Sequence, residues 1–161
     1  MLARGAHASP LEDDDLRYLY AGFRKGAFAA FDLPPVATPA EFDDLLAELI
    51  GNYGSMIVAR ARTPHGVIPV LTVMLVHMGA FVWACATAPM PWATPRNVLE
   101  GQVAVVEVVR NERQMLFTSR PADKAFWTRV ARYGIISRVG TLVDGDEPLS
   151  MWESRKTKWP S

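Results

Sequence analysis

Few reactive side chains in this sequence stand at spacings that would let them work together. His65 lies in RTPHG, a turn signal, and His77 lies near the end of the apolar run VIPVLTVMLVH. Either imidazole could serve as a base near neutral pH. The two do not have metal-ligand spacing, so no metal is expected. Cys85 is the single cysteine, which excludes an intramolecular disulfide framework and a cysteine-rich metal site. It sits in the apolar stretch AFVWACATA and reads as a buried small hydrophobe. The acids of LEDDD (11–15) and DGDE (144–147) fall at a helix start and in a turn, where electrostatic and turn roles account for them. No G-x-S-x-G, P-loop or H-E-x-x-H motif occurs.

The stretch APMPWATPRN (88–97) poses the sharper question. It joins an uncharged, strand-like run to a capped helix, a common place to hold a phosphate on backbone N–H groups and the helix dipole. It contains no glycine, and Pro89, Pro91 and Pro95 lack the N–H that such a cradle needs. Arg96 can still draw an anion to the helix start. Trp92 is expected to pack against the protein or to be presented to a partner.

Helix starts are marked by proline. SPLEDDD offers Ser9 as N-cap with Pro10 in the first turn, and TPAEFDD repeats the pattern with Thr38, Pro39 and Glu41. Thr94-Pro95 and Pro121 to Asp123 are similar. A first helix is predicted from about Pro10 towards Phe28, with Leu16, Leu19, Tyr20 and Phe23 on one stripe. A second carries Phe42, Leu45, Leu46 and Leu49 and ends at GNYG. SMIVARA, VIPVLTVMLVH and AFVWACATA read as strands. NVLEGQVAVVEVVRNERQ is valine-rich, yet its helical period and its cap predict a helix. MLFTS is a strand, ADKAFWTRVARYG a helix with Phe126, Val130 and Tyr133 inward, and IISRVGTLV with PLSMWES a hairpin. The expected order is two helices, three strands, helix, strand, helix, two strands. That is a mixed α/β (α+β) fold with a mostly antiparallel sheet and helices on both faces.

Length and composition fit one domain over residues 1–161 with a short basic tail, about 154–161. Net charge is zero, so nucleic acid is not an expected partner. The absence of an apolar leader points to a cytoplasmic setting. No charge occurs from Gly66 through Pro95, a run long enough to span a membrane. Pro69, VHMGA and APMP interrupt it, and its β-branched and aromatic content favours two buried strands instead.

The order of elements resembles the GNAT (acetyl-CoA-dependent N-acyltransferase) fold. The sharpest local match is DKAFWTRVARYGIISRVGTLV, similar to that family's last helix and following strand, with Phe126-Trp127 as its aromatic pair and Gly134-Ile135 opening the strand. The resemblance implies that APMPWATPRN stands where the family holds the pyrophosphate of coenzyme A on a glycine-rich loop. Thr94, Arg96 and Asn97 are then the candidates for contacting that group. It also implies a glutamate base on a central strand, but no Asp or Glu occurs between Glu48 and Glu100. A tyrosine acid is implied on the last helix. Trp127 takes that place, leaving Tyr133 as the substitute acid and His77 as the substitute base.

These departures predict a non-catalytic GNAT-like domain that acts as a structural or assembly component of a bacteriophage particle. No cofactor is expected. Other proteins of the assembly are the partners, in multiple copies, and the setting is the host cytoplasm or the virion. Trp92, Arg155, Lys156, Lys158 and Trp159 are the expected docking residues. The alternative is an N-acyltransferase that uses acetyl-CoA through an atypical pyrophosphate loop. That alternative requires two splayed central strands, with the backbone of residues 83–89 donating to a pantetheine arm.

Overall fold

A computed structural model describes residues 5–31, 33–77, 82–112, 116–144 and 146–154. Seven strands form one sheet in the order β1-β2-β3-β4-β5-β7-β6. They are β1 (Ala6–Pro10), β2 (Gly54–Thr63), β3 (Gly66–His77), β4 (Val82–Pro89), β5 (Leu116–Ser119), β6 (Ile136–Asp144) and β7 (Glu147–Ser154). β4 and β5 are parallel and every other neighbouring pair is antiparallel. The helices are α1 (Leu16–Arg24), α2 (Pro39–Tyr53), α3 (Pro95–Glu112) and α4 (Lys124–Ala131). The mixed, mostly antiparallel sheet is the fold class that the sequence predicts.

Side-chain alternation along the strands divides the core into two layers. Met56, Val58, Met74 and Ala88 face α1 and α2, where Leu19, Phe28, Phe42 and Leu46 are buried. Ile57, Ala59, Val73 and Leu75 face α3 and α4, where Val103, Val106, Trp127 and Val130 are buried. Helices therefore cover both faces, as expected. Gly101 brings α3 close to the sheet: a Cβ there would lie 3.1 Å from the Cβ of Ala59 and 3.4 Å from that of Leu71.

The front of the chain differs from its sequence reading. Ser9 and Pro10 do not open a helix; they end β1, an edge strand paired with β2. Proline is tolerated there because the outer N–H of an edge strand has no ladder partner. The cap moves on to Glu12, which with Asp15 forms a capping box around a 3₁₀ turn, Asp13–Asp15, and α1 begins at Leu16. The order thus gains a leading strand, and the first helix is shorter than predicted. The second cap is as predicted, with Thr38 Oγ1 accepting from the Glu41 N–H at 3.2 Å. The uncharged run folds as β3 and β4, and among the described residues no helix is long and apolar enough to cross a membrane.

One ion pair ties this front segment to the sheet. Arg60 on β2 places both Nε and Nη2 on the Asp15 carboxylate, the former at 2.7 Å, and Nη1 donates to Ser9 Oγ at 2.7 Å. The side chains are only 12% and 4% exposed. Removing one member of such a pair strands the other charge out of water. Asp15→Ala is expected to lower stability by about 3 kcal/mol in urea unfolding. A loss under about 1 kcal/mol would show the pair to be screened as a surface bridge is.

Candidate functional site

β4 and β5 run together only briefly. Val82, Trp83 and Ala84 pair with Leu116, Phe117 and Thr118. β5 then ends at Ser119, and Pro121 opens a 3₁₀ turn that turns the chain away. β4 continues to Pro89, still paired with β3 on its other side. From Cys85 to Pro89 it has no strand partner on the β5 side among the described residues. The two parallel strands therefore fork, and the open backbone of β4 leads up to the loop before α3. β5 is held from behind by β7, with Trp152 Nε1 donating to Ser119 Oγ at 2.8 Å in a buried setting.

The loop at the head of the fork is pinned by its own side chains. The Met90 N–H donates to the Val70 carbonyl at 2.9 Å, prolonging the β3 contact, and the Ala93 N–H donates to the Met90 carbonyl at 3.0 Å. The Trp92 indole donates to the Pro69 carbonyl at 2.7 Å and meets Tyr18 edge-on, packing against the α1–α2 layer. Thr94 and Asn97 cap one another: the Asn97 N–H donates to Thr94 Oγ1 and the Thr94 N–H to Asn97 Oδ1, each at 3.1 Å. With that cap in place and no N–H on Pro95, the helix start keeps few backbone donors for an anion.

Arg96 supplies what the backbone lacks. Its side chain is 85% exposed and its Nε donates to Glu100 Oε1 at 2.8 Å. That hydrogen bond and the Glu100 charge raise its pKa above the ordinary arginine value, with a smaller contribution from Tyr133. The guanidinium is a fixed positive charge at the helix start, where its free edge can face an anion.

Cys85 marks the point where the strands part. The residue is half-buried, but its thiol lines a small apolar cavity between the sheet, α3 and α4. Phe117, Trp127, Val105, Val106 and Val109 are among its walls. Burial pushes the thiol pKa far up, and the Asp123 carboxylate pushes it in the same direction. Cys85 is thus a neutral thiol rather than a nucleophile. Asp123 closes the 3₁₀ turn that follows β5, and its carboxylate is a charge that the sequence reading treats only as a cap. Nothing in the local pattern RPADKAF distinguishes the two uses.

The other predicted residues scatter. Tyr133 is not inward on a helix: it lies in the turn beyond α4, exposed, with its N–H on the Val130 carbonyl. The helix ends two residues earlier than its period suggests, so the stripe does not reach it. Trp127 is buried against Phe117, with ring centroids 4.8 Å apart. His65 is exposed in the β2–β3 turn. His77 ends β3 opposite Trp83, below the fork. Arg155, Lys156, Lys158 and Trp159 lie outside the described residues. Among the described residues no group of His, Cys, Asp or Glu could hold a metal.

No protein-family model matches the chain, and no curated protein matches it in sequence. Solved structures do match it in shape. A spermidine N-acetyltransferase from Vibrio cholerae, in complex with CoA and spermine, covers 96% of this chain and 97% of its own at 10% identity and a TM-score of 0.62. The aminoglycoside N-acetyltransferase AAC(6')-Ib11 covers 93% of this chain and 96% of its own at 16% identity and 0.65. AAC(6')-Ib in complex with acetyl-CoA covers 98% and 99% at 15% identity and 0.63. The fold is the GNAT fold. The expected non-catalytic role in a bacteriophage assembly is corrected by these matches. They are acetyltransferases, two of them holding CoA or acetyl-CoA, and the expectation of no cofactor loses its support with it. The physical reason is that prolines remove a loop's N–H donors but do not close the fork between β4 and β5.

Trp92 offers a direct test of whether the loop is packed or serves only for docking. Trp92→Phe keeps a ring in the layer but loses the bond to Pro69, and is expected to cost about 1 kcal/mol in thermal or urea unfolding. Trp92→Ala should cost about 3 kcal/mol. Both variants would match the parent in stability if the indole served docking alone.

Proposed function

We propose that this chain is a coenzyme A-dependent N-acyltransferase. The observation that carries the reading is the fork: β4 has no strand partner on the β5 side from Cys85 to Pro89, directly below the start of α3. An open strand edge pairs with the amides of an extended arm as it would with another strand, and the pantetheine arm of coenzyme A carries such amides. The diphosphate end falls to Arg96, Thr94 and Asn97 at the helix start. There a side-chain charge stands in for the backbone cradle of a glycine loop.

Acyl-CoA, when bound, supplies an acyl carbon already activated as a thioester. The chain's own part is to hold the arm in the fork and to manage the proton that the acceptor amine loses as its C–N bond forms and the C–S bond breaks. That proton falls to Asp123, whose carboxylate stands in the 3₁₀ turn directly after β5. Tyr133 is exposed in the turn beyond α4, off the helix on which the resemblance implies the acid for the leaving thiolate. His77 stands below the fork, on the strand beyond β4.

Calorimetry with CoA and acetyl-CoA tests the reading. Micromolar binding is expected, and Arg96→Glu should weaken it by at least tenfold, the scale of a lost charge-assisted contact. No binding at millimolar CoA would overturn it. With polyamines or aminoglycosides as acceptor probes, Asp123→Asn should lower kcat about a hundredfold and leave CoA affinity close to that of the parent. An undiminished kcat would remove Asp123 from the reaction.

A further inference from the structure

The cavity at the fork has a volume of about 20 Å³ and no polar lining. Protein interiors are packed so closely that such spaces are few. Room for a water begins at roughly 10–15 Å³ by the same measure, but a water also needs two or more polar partners. This cavity offers an alkyl group space and offers water nothing to bond.

Its position gives it an occupant. Cys85 is the first residue of β4 beyond the pairing with β5, and Phe117 is the middle of the three β5 residues in that pairing. The cavity therefore lies against the sheet next to the place where the strands part, with Val73 and Leu75 of β3 completing its floor. An arm that enters at the helix start and follows the edge of β4 ends at this point. Val105, Val106 and Val109 of α3 and Trp127 of α4 close it from the helix side.

Resting on the acyltransferase reading above, we propose that this cavity receives the acyl chain of the donor and that it sets the preferred donor as propionyl-CoA rather than acetyl-CoA. The acetyl methyl reaches the mouth of the cavity, and one further carbon fills it. The volume suits that single carbon and does not suit a long chain. The lining is aliphatic and aromatic throughout, apart from the neutral Cys85 thiol, so a charged acyl group such as a dicarboxylic one is excluded.

Calorimetry with CoA, acetyl-CoA, propionyl-CoA, butyryl-CoA and hexanoyl-CoA tests this without any need to know the acceptor. Propionyl-CoA is expected to bind about fourfold tighter than acetyl-CoA, the gain for one buried methylene. Hexanoyl-CoA should bind more weakly than propionyl-CoA. Val106→Phe, which fills the space, should abolish the propionyl gain; Val106→Ala, which enlarges it, should move the optimum to butyryl-CoA. The two variants act in opposite directions, so failure of the bulkier one to fold still leaves the other to decide. Equal or weaker binding of propionyl-CoA, or an optimum that does not move in Val106→Ala, overturns the acyl-cavity proposal. Failure of CoA and of every thioester to bind overturns the acyltransferase reading, and the cavity proposal with it.

Discussion

The site depends on how soon β5 stops. It is four residues long, and Pro121 follows its last residue by two positions. A longer β5 would pair with β4 up to Pro89 and close the sheet. Because it ends, five residues of β4 keep one edge open in the middle of an otherwise continuous sheet. An unpaired edge inside a sheet is a cost that folded proteins ordinarily avoid. Here it is confined to the one place where a helix start and a fixed positive charge stand above it.

Everything around the fork is held stiffly. β5 is fastened from behind by β7 and by the Trp152–Ser119 hydrogen bond. The loop above is fixed by the Trp92 indole and by the reciprocal Thr94–Asn97 cap. α3 lies close on the sheet at Gly101. On the far edge, the Arg60–Asp15 pair joins β1, the 3₁₀ turn and β2. Prolines that deprive the loop of donors also limit its freedom, so a bound anion would gain fewer backbone contacts but would have less chain to order. The charge of Arg96 at the helix start stands on a side chain that water and salt can reach.

Much of this architecture is legible in the residues themselves. The caps at Thr38 and Thr94, the strands of the uncharged run and the helical period of the valine-rich α3 all appear as predicted. β1 is not legible, because Ser-Pro-x-Glu serves equally to end an edge strand and to cap a helix. Tyr133 is misplaced because α4 stops at Ala131, short of the stripe its spacing suggests. The loss of glycines from 88–97 is visible in the sequence, but its weight is not. Whether it abolishes a site depends on the fork, and the fork is set by where β5 ends relative to β4. That is a property of two distant segments, as is the influence of the Asp123 charge on the Cys85 thiol. Local pattern carries no trace of either.

The anchoring of β5 by Trp152 has a consequence for synthesis. The strand that shapes the fork gains its rear support only when residues 150–153 pair with it. A nascent chain that has already extruded β4, the proline loop and α3 therefore still lacks β5, α4 and the hairpin that supports β5 from behind. Domains fold as units as they leave the ribosome, and in this one the fork cannot be completed before its C-terminal hairpin.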